Sequence, residues 1–161
     1  MASFFAFLLL LIASTAPSVR GGENLTAYEV LQQYDFPIGL LPSGVTGYEL
    51  DSSTGKFSAY LNGTCKFAIE SYELEYKSTI TGIITKDKIS SLKGIEVKVL
   101  VLWLNIVEVI RDGDELQFSV GIASANFPVS NFAECPSCGC GFDCVNETEK
   151  MIKLNRLVSS A

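Results

Sequence analysis

The chain contains no histidine. That absence excludes Ser-His-Asp and Cys-His catalysis, His-ligated zinc, haem on a proximal histidine and an imidazole pH switch. No G-x-S-x-G elbow occurs either, so a nucleophile of the α/β-hydrolase kind lacks both its turn and its base. Beyond residue 12 the longest apolar stretch is Val99–Leu104, far short of the ~20 residues a spanning helix needs. Charged residues are sparse at 19%, and 18 acids against 12 bases give a net charge of −6. That balance argues against nucleic acid or a strongly anionic surface as a general partner. There is no internal repeat, no retention tetrapeptide and no C-terminal lipid-anchor signal.

What is present is a chain of 161 residues that is 48% hydrophobic, enough for one domain with a core. Residues 4–12, FFAFLLLLI, precede the small, turn-forming ASTAPSVRGG. This is the layout of a secretory signal, and Val19 and Gly21 suit the cleavage positions. We therefore read 1–21 as a signal peptide, 22–132 as a β-barrel or sandwich domain and 133–161 as a Cys-rich appendage. The expected location is extracellular or along the secretory pathway. In that setting the sequons at Asn24, Asn62 and Asn146 are candidate glycosylation sites, and Asn62-Gly63 also reads as a hairpin turn.

Along the mature chain, Thr26-Ala-Tyr-Glu29 is a capping box that starts a short helix over about 26–34. Asp35-Phe-Pro37 ends it, because proline disfavours helical geometry in the residue before it. From Thr46 the apolar period becomes two. Tyr72, Leu74 and Tyr76 alternate with Glu73, Glu75 and Lys77, the pattern of a half-buried antiparallel strand. Gly82 marks a bulge. Ile95–Ile110 is too long for one strand and is expected to split or bend at Asn105. Asp112-Gly113 is a further turn. The fold expected is mainly β: an antiparallel barrel or sandwich with one short N-terminal helix and the C-terminal appendage.

The ordered series Tyr28-Glu-Val-Leu31, FPIGLLPSGVTGYEL (36–50), Gly55-Lys-Phe57, Tyr60-Leu-Asn-Gly-Thr-Cys65, Leu102-Trp-Leu104 and FSVGIASANFPVSNF (118–132) resembles the plant domain of unknown function 538 family. The resemblance covers about 28–132. It implies a plant protein and a β-barrel or sandwich with a helix. It also implies a similarity to the bactericidal/permeability-increasing lipid-binding proteins and, in some members, a chlorophyll-hydrolysing activity. Those last two belong to different classes, a binder and an enzyme.

The residues themselves favour the binder. Glu73 and Glu75 share a face and are read as a solvated sheet surface, not paired catalytic acids. Asp112, Asp114 and Glu115 read as an acidic turn, not a calcium site, and no metal or cofactor is expected. Lys77, Lys86, Lys88, Lys93 and Lys98 read as solvated edges and turns. Cys65, Cys135, Cys138, Cys140 and Cys144 are disulfide candidates. With an odd number, Cys65 either bridges to the tail and frees one cysteine there, or is itself buried and free. Both faces around Val99–Leu104 are apolar, so Ile38, Leu40, Leu41, Val101, Trp103, Phe118 and Val120 are the candidate lining of an apolar cavity. The function read is non-catalytic binding of a lipid or small amphiphile, by burial of its tail at about 25 cal/mol per Å². The alternatives are a structural or interaction module of the plant cell wall or secretory route, and an ester hydrolase.

Overall fold

The structure, a computed structural model, describes residues 24–142. The signal segment 1–21, Cys144, Asn146 and the amphipathic stretch 147–159 lie outside the described residues. The capping box forms as expected: the Thr26 hydroxyl accepts from the Glu29 amide at 3.2 Å, and the Glu29 carboxylate accepts from the Thr26 amide at 2.7 Å. It opens helix α1 (Ala27–Gln33), which buries Ala27, Val30 and Leu31. A helix this short does not persist alone, so its apolar face holds it on the sheet. A 3₁₀ turn at Ile38–Leu40 follows.

The strands are β1 (Val45–Leu50), β2 (Lys56–Leu61), β3 (Cys65–Ile69), β4 (Tyr72–Thr85), β5 (Lys88–Val99), β6 (Leu102–Asn105), β7 (Glu108–Asp112), β8 (Glu115–Ser119) and β9 (Ser124–Pro128). They form one antiparallel sheet in the order β1-β2-β4-β5-β7-β8-β9, with β3 also on β4 and β6 also on β5. Among the described residues no ladder joins β9 to β1. The sheet therefore curls but is not closed, and the mainly β, antiparallel fold with one short N-terminal helix forms as expected among the described residues.

Two connections differ from expectation. Thr79–Ile83 of β4 pair with β2, while Tyr72–Tyr76 pair with β3, so β2 and β3 lie end to end along one partner. Asn62-Gly63 is thus a jog between collinear strands, not a hairpin turn. The positive φ that Gly63 supplies (143°) serves a kink as well as a hairpin, and the length of β4 decides which forms. On the other side β6 and β7 lie end to end along β5, and the break after Asn105 is as expected. Ile95–Val99, however, belongs to β5, and Leu100-Val101 forms an unforeseen turn between paired Val99 and Leu102. Gly82 does sit at a register irregularity, between Thr81 and Ile83.

The start of the C-terminal segment is not an appendage. Cys138 is disulfide-bonded to Cys65, the Ser43 amide donates to the Pro136 carbonyl at 2.8 Å, and the Gly139 amide donates to the Lys66 carbonyl at 2.6 Å. Gly39 passes so close beneath it that a Cβ there would lie 2.4 Å from the carbonyl oxygens of Phe132 and Glu134. The segment is poor in aliphatics, so hydropathy misses it; backbone hydrogen bonds and a covalent bond hold it.

The Cys65–Cys138 bond spans a sequence separation of 73 residues, and removing a cross-link of that reach costs about 2–4 kcal/mol. The Cys65→Ala/Cys138→Ala double variant is expected to lose that much in urea unfolding. Gly39→Ala, which sets a methyl against backbone oxygens, is expected to lose more than ~2 kcal/mol, while Gly47→Ala, with nothing within 4 Å, stays near wild type.

Candidate functional site

The concave face of the sheet encloses a cavity of about 250 Å³. Side chains from α1, both 3₁₀ turns (the second is Val129–Phe132) and every strand but β6 line it. The even-numbered residues Tyr72, Leu74, Tyr76, Ile80 and Ile84 of β4 form one wall, because alternate side chains of a strand share a face. Phe127 packs edge-on against both Tyr72 and Phe118, with ring centroids 5.7 Å apart in each case. The cavity opens where Val99, Ala123 and Ser124 reach solvent.

The lining is mostly apolar, and two of its phenols are occupied. The Tyr76 hydroxyl donates to the Leu40 carbonyl at 2.8 Å, and the Tyr48 hydroxyl donates to the Leu25 carbonyl at 2.7 Å, so both rings present carbon to the interior. Burial pushes the Tyr76 pKa up, which keeps the phenol neutral. Among the described residues the lining contributes no carboxylate, amine, guanidinium or thiol. What this arrangement offers chemically is desolvation.

Of the residues expected to line a cavity, Leu40, Leu41, Phe118 and Val120 do so. Ile38 does not; it is half-buried, and its carbonyl accepts from the Leu41 amide at 3.2 Å. Val101 and Trp103 do not either, at 85% and 37% exposed. The Leu100-Val101 turn is the reason. It pairs Trp103 with Lys98, which puts the indole on the outer face, and leaves Val101 at the tip. The helix side of the cavity, from Ala27, Val30 and Leu31, was not foreseen, although the apolar stripe of α1 carries the signal.

The outer face is less solvated than its alternation suggests. Glu75 is 9% exposed and is held between Lys77 and Lys66, the latter at 3.0 Å. Lys77 also reaches Glu96 at 3.1 Å, Lys98 reaches Glu73 at 3.3 Å and Lys88 reaches Glu108 at 3.2 Å. Three of the mid-chain lysines are thus neutralised by carboxylates across the strands rather than gathered into a basic patch. Cys135 carries a thiol outside any disulfide, its Sγ 3.6 Å from the Ile38 carbonyl, and burial pushes its pKa up. Cys140 is disulfide-bonded. Asn24 and Asn62 are exposed.

The Lys77 and Lys66 ammonium groups hold the Glu75 carboxyl below its ordinary pKa, so this carboxylate stabilises the fold above its unfolded-state value and ceases to as pH falls through the depressed one. Acid unfolding followed by circular dichroism should therefore start at lower pH for the wild type than the ordinary glutamate range implies. Glu75→Gln is expected to be less stable near neutrality and to lose part of that acid dependence.

The chain matches the family described as "Protein of unknown function, DUF538" over residues 27–133. An Arabidopsis thaliana protein called "Uncharacterized protein At5g01610" is 32% identical over 105 residues, covering 65% of this chain and 61% of that protein. The chain thus spans less than two thirds of that relative's length. The family match ends before Cys138, so one half of the disulfide lies beyond it.

Proposed function

This chain belongs to the DUF538 family, and from that premise we propose that it is a secreted, non-catalytic protein that binds one slender amphiphile with its tail in the cavity. The apolar cavity carries this reading. Protein interiors are close-packed, with few voids larger than a water molecule. A solvent-open apolar cavity of about 250 Å³ leaves its hydrocarbon walls without packing partners. Water finds few hydrogen-bonding partners there. An apolar tail removes the deficit without needing any. The volume is below the ~300–1,000 Å³ of pockets for drug-sized ligands, which favours a single chain over a broad ring system. Binding is favoured over ester hydrolysis because the lining brings no base to a bound ester. Passage through an oxidising compartment is supported by the Cys65–Cys138 bond and by exposed sequons at Asn24 and Asn62.

Native mass spectrometry of protein from a eukaryotic secretory host should show a co-purifying amphiphile, released by organic extraction. Ala125→Phe narrows the mouth and Ala59→Phe fills the interior. Each should weaken a fluorescent fatty acid by at least ~10-fold, the equivalent of about 1.4 kcal/mol. Wild-type protein that carries no amphiphile and binds no fluorescent fatty acid would refute the reading.

A further inference from the structure

The turns at one end of the sheet are polar, while two of those at the other end carry exposed aliphatics. Where β1, β4 and β7 finish, the connections are Asp51–Gly55, Lys86-Asp87 and Gly113-Asp114, all polar. At the opposite end, β5 turns through Leu100-Val101 and β8 through Gly121-Ile122, beside the polar β3–β4 turn at Glu70-Ser71. Leu100, Val101 and Ile122 are 91%, 85% and 92% exposed, and Leu102 follows at 62%. The sheet does not require this. The favoured two-residue hairpin turns need a positive φ at their first residue, here 58° at Leu100, where glycine, asparagine or aspartate fits without strain. An exposed leucine held there, between two further exposed aliphatics, opposes both local backbone preference and solubility. Such outliers point to function.

Trp103, the chain's one tryptophan, stands just behind this tip on the outer face. The ammonium groups of Lys66 and Lys98 lie 5.7 and 5.9 Å from its ring centre. Aliphatics beyond an indole flanked by lysine stems is the sequence of layers found at a membrane surface: apolar groups in the hydrocarbon, amphipathic groups among the head groups. The cavity opens at this same end, beside Val99, Ala123 and Ser124.

We propose that the β5–β6 hairpin tip, with Ile122 beside it, dips into the surface of a zwitterionic phospholipid bilayer and sets the cavity mouth against the lipid. The loading of the cavity from that surface rests on the amphiphile reading above; the docking stands on the tip residues. A net charge of −6 opposes an anionic surface, and the lysines near Trp103 already have carboxylate partners in Glu75 and Glu73. A second copy of the chain is a poor occupant, since a few tip side chains present far less than the ~800 Å² per partner of a stable protein interface.

Trp103 is its own reporter. With pure phosphatidylcholine vesicles, its emission should shift to the blue and be quenched by brominated lipid, and the binding should survive high salt. Leu100→Asn/Val101→Ser removes the apolar tip while giving the turn a residue suited to positive φ. This variant should melt no lower than wild type and bind the fluorescent fatty acid normally without vesicles, yet lose vesicle affinity by at least ~10-fold. Should the turn change prove disruptive, Ile122→Ser on the neighbouring turn should weaken vesicle binding with the β5–β6 hairpin intact. Vesicle binding without fatty-acid binding would leave the docking standing and refute the cavity reading. The docking is overturned if wild-type Trp103 emission does not respond to vesicles, if the tip variant binds them as tightly as wild type, or if binding requires phosphatidylserine and vanishes in salt. Loss of a dimer in the tip variant with vesicle binding unchanged would overturn it too, and assign the tip to a second copy.

Discussion

Strand β4 sets the geometry on which the rest of the molecule depends. At 14 residues it is longer than the strands on its one side, so that side takes two, β2 and β3, end to end. Its register with β5 slips between Tyr76 and Thr81, and there Gly94 approaches so closely that a Cβ would lie 2.4 Å from the Thr79 carbonyl. A bulge increases the local right-handed twist and bends the strand. The long antiparallel pair thereby becomes the bent wall of a cavity rather than a flat sheet. With alternate side chains facing in, Tyr72, Leu74, Tyr76, Ile80 and Ile84 line that wall, while the carboxylates at 73 and 75 meet lysines outside.

Much of this was legible because it is periodic or local. The capping box, the alternation along β4, the break at Asn105 and the irregularity at Gly82 each follow from side-chain spacing or backbone freedom within a few residues. What was not legible depends on partners. Asn62-Gly63 permits a sharp change of direction but does not say whether the chain turns back or steps sideways; β4 decides that. The Leu100-Val101 turn has none of the residues that announce a turn, so the hydrophobic run around it read as continuous strand. That error displaced Val101 and Trp103 from the expected lining, while Leu40, Leu41, Phe118 and Val120 fell where the apolar count suggested. The C-terminal segment was misjudged for the opposite reason: it docks through carbonyls, amides and a disulfide, none of which hydropathy registers.

The run Val99–Leu104 shows how the same composition supports different physical outcomes. A strand apolar on both faces is ordinarily buried on both, or buried on one and lining a cavity on the other. Here the run is neither, because it crosses the tip of a hairpin. Only Val99 reaches the cavity; Leu100 to Trp103 are exposed and Leu104 is half-buried. Apolar surface has therefore been placed in two connected positions, inside the sheet and at the end where the sheet opens. Burial in the core explains the first. The second stands mostly in solvent among the described residues, and a polar turn there would relieve backbone strain at Leu100.

The ion pairs give that end its character. Each lysine nearest Trp103 faces a glutamate on the neighbouring strand, so the outer surface behind the tip carries many charges but little net field. Paired exposed charges contribute little to stability, at roughly 0–1 kcal/mol each. Their effect here is better understood as placement: they keep lysine stems against the indole and prevent a basic patch from forming beside an acidic body. A surface built this way has little long-range attraction for anionic partners and relies on short-range apolar contact. The opposite end, where Arg111 donates to the Asp35 carbonyl at 2.7 Å and the turns are rich in aspartate, has no comparable apolar projection. Among the described residues the fold is thus polar along its axis, and its most exposed aliphatics emerge at the end where the cavity opens.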